Sequence, residues 1–147
     1  MTLQEKILNL KNKIENIITF QKAEIAKIDF VNAMLKNDNF SEIPSDYKNF
    51  LMFTNGLIMP PVELYGTENV ERAKYNYKFP NIIEVNKIFI DNKNPLMKNR
   101  LMLGTFAFDI LIFDGNDNLY KILNRFNFET IETFKSFNEL FDYISEE

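Results

Sequence analysis

The sequence predicts an α+β fold in which N-terminal helices pack on a mainly antiparallel sheet and a C-terminal helix closes the domain. Apolar residues recur at helical spacing near the N-terminus. Residues 100–134 instead hold short aliphatic and aromatic runs separated by turn residues, as strands require. Near the C-terminus, Ser136-Phe137-Asn138-Glu139 has the capping-box pattern that begins a helix.

Two helices are predicted before residue 40. Thr2-Leu3-Gln4-Glu5 fits a capping box, and an apolar stripe of one face follows it to about Phe20: Leu3, Ile7, Leu10, Ile14 and Ile17. This stripe favours docking on the chain's own domain, while pairing of two chains stays open. The second helix is indicated by six apolar residues: Ile25, Ile28, Phe30, Val31, Met34 and Leu35.

The middle of the chain combines both element types. Pro44 can begin a third helix, and Asn55-Gly56 ends it. Its buried side is predicted to hold Tyr47, Phe50, Leu51 and Phe53. The alternating residues 62–65 predict a strand that turns at Gly66, and residues 67–74 a short helical turn. Residues 81–90 have helical spacing and favour a helix, with a strand over the apolar residues 88–90 as the alternative.

The last third predicts an antiparallel meander and then a helix. Strands are expected over 100–106, 108–114 and 119–123, with a further strand near residues 126–131. The closing helix buries Phe137, Leu140, Phe141 and Ile144. Because no repeat, linker or low-complexity segment interrupts residues 1–147, we expect a single domain.

Composition excludes several kinds of site. The 147 residues are 46% apolar and 26% charged, with no Cys and no His. Disulfides, thiol nucleophiles, Ser–His pairs and the usual zinc ligands are therefore impossible. No apolar run is long enough for a membrane helix or a signal-peptide core. We expect a cytoplasmic protein without metal or cofactor.

Charge is unevenly distributed along the chain. The net charge of −4 combines +5 over residues 72–100 with −6 over residues 101–147. The acidic last third suits a basic partner, although ordinary solvated faces account for the same pattern. Cations interleave with Tyr75, Tyr77, Phe79 and Phe89, as in single-strand nucleic-acid surfaces. Overall acidity argues against that hypothesis, so no nucleic-acid partner is expected.

No catalytic constellation stands out. The segment 114–118 (Asp-Gly-Asn-Asp-Asn) is similar to a calcium loop, but its glycine falls outside EF-hand spacing, and a strand-connecting turn is the better interpretation. Asp109, within an apolar strand, is either exposed by alternation or hydrogen-bonded. A glycosidase pair of Asp109 with Glu63 or Asp114 is conceivable, but nothing fixes the separation. We expect no enzymatic activity and no catalytic residue.

Four segments in order resemble the SUKH superfamily, which includes bacterial toxin-immunity proteins and a fungal cell-wall regulator. They are the helix signature at 43–56, the aromatic-glycine strand end at 62–66, Leu103-Gly104 leading into 109–114, and the serine-phenylalanine helix start within 133–144. The resemblance covers about residues 43–145 and leaves 1–40 as a variable N-terminal part. Pro60-Pro61 departs from many members.

The resemblance implies binding rather than catalysis. Its expected function is a non-catalytic immunity-type protein that neutralises a cognate toxin, often a nuclease, in the producer's cytoplasm. A scaffold or regulatory module of the same fold is the alternative. A partner surface is expected where the 62–68 strand end meets the 109–117 hairpin, and it comprises Glu63, Tyr65, Glu68, Asp109, Asp114 and Asp117. The oligomeric state is open.

Overall fold

A computed structural model describes residues 1–72 and 77–146 of the protein. Five α-helices, a seven-stranded sheet and a two-stranded sheet form within these ranges. The helices are α1 (Leu3–Lys13), α2 (Ile25–Asn37), α3 (Ser45–Leu51), α4 (Ile82–Asp91) and α5 (Phe137–Ser145). The strands are β1 (Ile18–Thr19), β2 (Leu57–Met59), β3 (Val62–Leu64), β4 (Val70–Arg72), β5 (Tyr77–Phe79), β6 (Arg100–Phe106), β7 (Asp109–Asp114), β8 (Leu119–Leu123) and β9 (Thr130–Phe134).

The larger sheet is antiparallel throughout, in the order β1-β2-β3-β6-β7-β8-β9. Its last four strands are the meander that the sequence predicts. The α+β class, the antiparallel sheet and the closing helix are confirmed. Buried apolar side chains from the helices and the sheet form one connected cluster.

The first helix is shorter than predicted. The Thr2 hydroxyl caps α1 by accepting from the Glu5 amide at 3.1 Å, but α1 ends at Lys13 rather than near Phe20. Ile17, Ile18 and Thr19 are β-branched, which favours extended chain. Ile18 and Thr19 pair with β2, a strand that the sequence did not predict.

The third and closing helices meet over one face of the sheet through aromatic side chains. Tyr47 and Phe50 of α3 lie 5.1 and 5.3 Å from the Phe137 ring of α5, measured between centroids. The Asp46 carboxylate accepts from the Tyr120 hydroxyl and, at 2.8 Å, from the Phe137 amide. This one carboxylate therefore ties α3, β8 and α5 together.

The segment after β3 differs from the prediction of a helical turn over 67–74. Val70–Arg72 forms β4, which pairs with β5 in a separate sheet, and residues 73–74 lie outside the described residues. Asn55 holds the start of the segment, because its side chain donates to the Thr67 hydroxyl and accepts from the Thr67 amide. The helix predicted over 81–90 is confirmed as α4.

A side-chain amide covers the edge of β6 where its neighbour stops. Strand β3 ends opposite Gly104, the Tyr65 amide still donates to the Leu103 carbonyl at 2.8 Å, and within the described residues no strand pairs with the earlier part of β6 on that side. The fully buried Asn86 of α4 donates to the Met102 carbonyl at 3.0 Å and accepts from the Met102 amide at 2.8 Å. It thereby makes the two bonds that a neighbouring strand would make. Asn86 therefore joins α4 to β6.

Candidate functional site

The six residues predicted as one partner surface lie in different places. Asp109 begins β7 and Asp114 ends it, so about 17 Å of strand separates them. Asp117 follows Asp114 in the β7–β8 turn. Glu63 lies near Asp109 instead, because it pairs with Thr105 one row away from the Phe106–Asp109 pair. The structure therefore corrects the predicted grouping into two groups at opposite ends of the sheet.

Two of the six side chains, those of Tyr65 and Asp114, are buried, and Glu68 lies apart from both groups. Tyr65 is 5% exposed, its ring packs on Phe79, and its carbonyl accepts from the Tyr47 hydroxyl at 2.5 Å. Its side chain lies in the core and not on the predicted partner surface. Glu68 is exposed, and its carboxylate lies 3.7 Å from the Lys27 ammonium of α2. Asp114 is the other buried member.

Asp114 is the centre of an ionic cluster at one end of the sheet. Its Oδ2 accepts from Arg100 Nε at 3.0 Å and from Lys121 Nζ at 2.9 Å, and its Oδ1 accepts from the Asn116 amide at 2.9 Å. Lys121 Nζ also donates to Asp117 Oδ2 at 2.7 Å. Cross-strand pairing aligns β6, β7 and β8 so that these groups meet. We call Arg100, Asp114, Asp117 and Lys121 the ionic end.

Protonation in this cluster follows its pairing. Burial alone would raise the pKa of Asp114, but hydrogen bonds from Lys121 and Asn116 and the Arg100 charge outweigh it and hold that pKa below its ordinary value. Burial would lower the pKa of Lys121, yet hydrogen bonds to Asp117 and Asp114 raise it. Both groups stay charged near neutral pH, and their charges are compensated within the chain.

The opposite end of the sheet carries three hairpin turns in a row. The turns join β2 to β3, β6 to β7 and β8 to β9. Val62 pairs with Phe106, and the Ala107 amide donates to the Pro61 carbonyl at 2.9 Å, so the first two turns touch. The third follows the Ile110–Leu123 pair. Neighbouring turns are two strands apart, or about 10 Å at ordinary strand spacing.

These turns present large apolar side chains to solvent. Phe108 is 76% exposed and Phe126 is 86% exposed, and both Pro60 and Pro61 are exposed. An open groove of about 500 Å³ runs beside the first two turns, where Pro60, Pro61 and Phe108 form part of its wall. We call Pro60, Pro61, Phe108, Asp109 and Phe126 the turn-end surface.

Sequence reasoning found Asp109 but missed the apolar members of this surface. The sequence predicts that Phe108 and Phe126 each begin a strand. In a strand that packs on the core, either ring would be partly buried. Phe126 instead lies in a turn whose Asn124 side chain accepts from the Phe126 amide at 2.8 Å. The signal that could have found it is the Asn-Arg-Phe-Asn run, since asparagine on both sides of an aromatic residue favours a turn.

No family model matches this chain, and no curated protein matches it.

Within residues 1–72 and 77–146, no group of three acidic side chains is placed to hold a metal ion. No helix in the described part of the chain has the length and apolar character needed to cross a bilayer. Of the aromatic residues considered for nucleic acid, Phe79 is buried and Phe89 packs on Phe128, while Tyr75 lies outside the described residues.

Proposed function

We propose that this protein is a non-catalytic, immunity-type protein that binds and neutralises a cognate protein toxin in the cytoplasm of the producing cell. The observation that carries the proposal is the exposure of Phe108 and Phe126 on adjacent hairpin turns. Large apolar side chains clustered at a surface mark protein interfaces, and aromatic residues dominate their binding energy.

Backbone hydrogen bonds hold the three turns of the turn-end surface in place, which favours binding. Each turn is held by the sheet, and the Asn124 amide donates to the Glu129 carbonyl at 2.9 Å across the third turn. The Ala107–Pro61 bond links the other two. Because these backbone positions are set before any partner arrives, little conformational entropy is lost on binding. A fixed apolar surface of this kind suits tight inhibition.

The class of partner comes from the resemblance to the SUKH superfamily. The helix signature at 43–56 and the closing helix at 137–145 resemble segments of proteins thought to neutralise toxins. Those segments build the scaffold, and the turn-end surface supplies the contact. The alternative is a scaffold or regulatory module that recruits a cellular protein through the same surface.

The first experiment recovers the partner and then measures inhibition. The tagged protein is purified from its native source, and a stoichiometric co-purifying protein is identified by mass spectrometry. That protein is expressed alone and together with this chain. We expect it to arrest growth alone and to be harmless in the presence of this chain. A housekeeping partner without toxicity would contradict neutralisation and favour the regulatory alternative.

Matched variants test whether the turn-end surface makes the contact. We expect the double variant Phe108→Ser/Phe126→Ser to lose growth protection while it folds normally. The control is Leu8→Ser/Ile25→Ser, which removes two exposed apolar side chains, 51% and 63% exposed, from α1 and α2. Equal protection by both variants would place the contact elsewhere.

A further inference from the structure

The hairpin segments that form the turn-end surface carry more carboxylates than cations. Within the hairpin segments 57–64, 105–110 and 123–130, all of them described, the charged residues are Glu63, Asp109 and Glu129 against the cation Arg125. The exposed apolar side chains are therefore set in a locally acidic border. An acidic border attracts cations and repels acidic surfaces.

Asp109 is the carboxylate best placed to contact a partner. It is half-buried beside the exposed Phe108, and within residues 1–72 and 77–146 its carboxylate has no hydrogen-bond or ion-pair partner. A carboxylate with part of its water removed, and with no cation of its own, gains more from an incoming cation than a fully solvated one does.

Glu129 supplies a second carboxylate at the third turn. Its amide donates to the Asn127 side chain at 2.9 Å and its carbonyl accepts from Asn124, so its backbone is fixed while its side chain is exposed. Phe108 and Phe126 add ring faces on which a guanidinium or ammonium group can rest. An exposed aromatic side chain and a carboxylate thus lie close in sequence at both the second and the third turn.

The ionic end offers a contrast in the same sheet. Asp114 and Asp117 lie 2.9 and 2.7 Å from Lys121 Nζ, and Asp114 is also paired with Arg100. These two carboxylates are already neutralised within the chain and attract a cationic partner weakly. A cationic partner is therefore expected to bind at the turn-end surface and not at the ionic end.

From these contacts we infer that the turn-end surface binds a protein surface on which arginine or lysine residues stand among apolar side chains. This inference rests on the proposed function and names the chemistry of the partner's contact region. The aliphatic or aromatic part of that region packs on Phe108 and Phe126, and its cations pair with Asp109 and Glu129. A second copy of this chain, which would present the same acidic border, is disfavoured as the occupant.

The test uses the full chain, labelled with ¹⁵N, and two short peptides as probes. One peptide alternates arginine with valine, and its matched control alternates glutamate with valine. We expect the arginine peptide to shift the amide signals of residues 107–109 and 125–129, and the glutamate peptide to leave them unchanged. The dissociation constant for the arginine peptide comes from the same titration.

Two double variants then separate the local carboxylates from net charge. Asp109→Asn/Glu129→Gln is expected to weaken binding roughly three- to tenfold, with a smaller dependence on salt. Glu24→Gln/Asp29→Asn removes the same charge from two exposed positions, one just before α2 and one within it, and is expected to bind as the unmodified chain does. Retained binding in the first variant would overturn the inference.

Three further results would overturn it as well: equal binding of both peptides, shifts confined to other residues, or no shift of residues 107–109 at millimolar arginine peptide. None of these bears on the growth-protection assay. If the peptide titration gives any of these results while Phe108→Ser/Phe126→Ser still abolishes protection, only the basic character of the partner is contradicted and the proposed function is retained. If this chain never protects, the proposed function itself falls.

Discussion

The two ends of the large sheet use similar residues in opposite ways. At the ionic end, Asp114 is 2% exposed and bonded to Arg100 and Lys121. At the turn end, Asp109 has no ion-pair partner within the described residues, and it borders an aromatic ring that is 76% exposed. The comparison shows that a carboxylate's availability to a partner depends on what already neutralises it. Residue type alone does not distinguish a stabilising Asp from a binding one.

The largest effect on stability is expected from Asp114→Ala, which should lower the free energy of unfolding by about 3 kcal/mol, because it leaves Arg100 and Lys121 without their shared partner. Urea unfolding followed by circular dichroism measures this change. An effect as small as that of a surface substitution would show that the cluster does not stabilise the fold, and the contrast between the two ends would disappear.

The pH dependence of stability should follow the same cluster. The lowered pKa of Asp114 contributes stability that is complete above the pKa of an unfolded Asp, roughly 3.9, and is lost as pH falls through the folded pKa. The raised pKa of Lys121 contributes stability that is complete below about 10.4 and is lost as pH rises through the folded pKa. Asp114→Asn should therefore show a flatter decline in urea midpoint from pH 5 to pH 3. An unchanged decline would exclude Asp114 as its source.

A smaller effect is expected at the exposed member of the ionic end. The Asp117 side chain is 42% exposed, and Lys121 keeps its bond to Asp114 when Asp117 is changed. Asp117→Asn should cost less than about 1 kcal/mol of unfolding free energy. A loss comparable with that of Asp114→Ala would mean that the two carboxylates act as one unit, which a double-mutant cycle would then measure.

The smallest effect on stability is expected at the turn end. Phe108→Ser/Phe126→Ser removes side chains that contribute little to the core, so the free energy of unfolding should change by less than about 0.5 kcal/mol per site. Growth protection should nevertheless be lost. Differential scanning calorimetry provides the control, and a large fall in melting temperature would show that these rings stabilise the fold instead.

Much of the fold is predictable from local pattern. The closing helix shows both its cap at Ser136 and its buried face, and both are confirmed. The cap by the Thr2 hydroxyl is likewise confirmed, while the Glu5 carboxylate accepts from that hydroxyl instead of a backbone N–H. The predicted end of α1 is wrong, because Ile18 and Thr19 pair with a strand some forty residues away. Helical periodicity carries no information on that pairing, which tertiary contacts decide.

The site was less predictable than the fold. Alternation in 109–114 does not reveal that Asp114 faces Arg100 and Lys121, since that contact depends on the register of three strands. Phe108 and Phe126 read as strand residues by composition, yet turn geometry places both in solvent. Hydrophobic type indicates burial only on average, so exposed aromatic residues are found from the structure.

The Asn86 side-chain amide also bears on whether the β6 edge can pair with strands of other chains. An open strand edge is a template on which segments of other chains can add, and aggregation begins at such edges. On β6 the Asn86 side chain bonds to that edge beyond the end of β3, and the Ser41 amide donates to the Arg100 carbonyl at 3.2 Å farther along it. Because Asn86 is fully buried, loss of the amide would leave the Met102 amide and carbonyl buried without partners, a cost that favours separation of α4 from this edge and so makes the edge accessible to other chains.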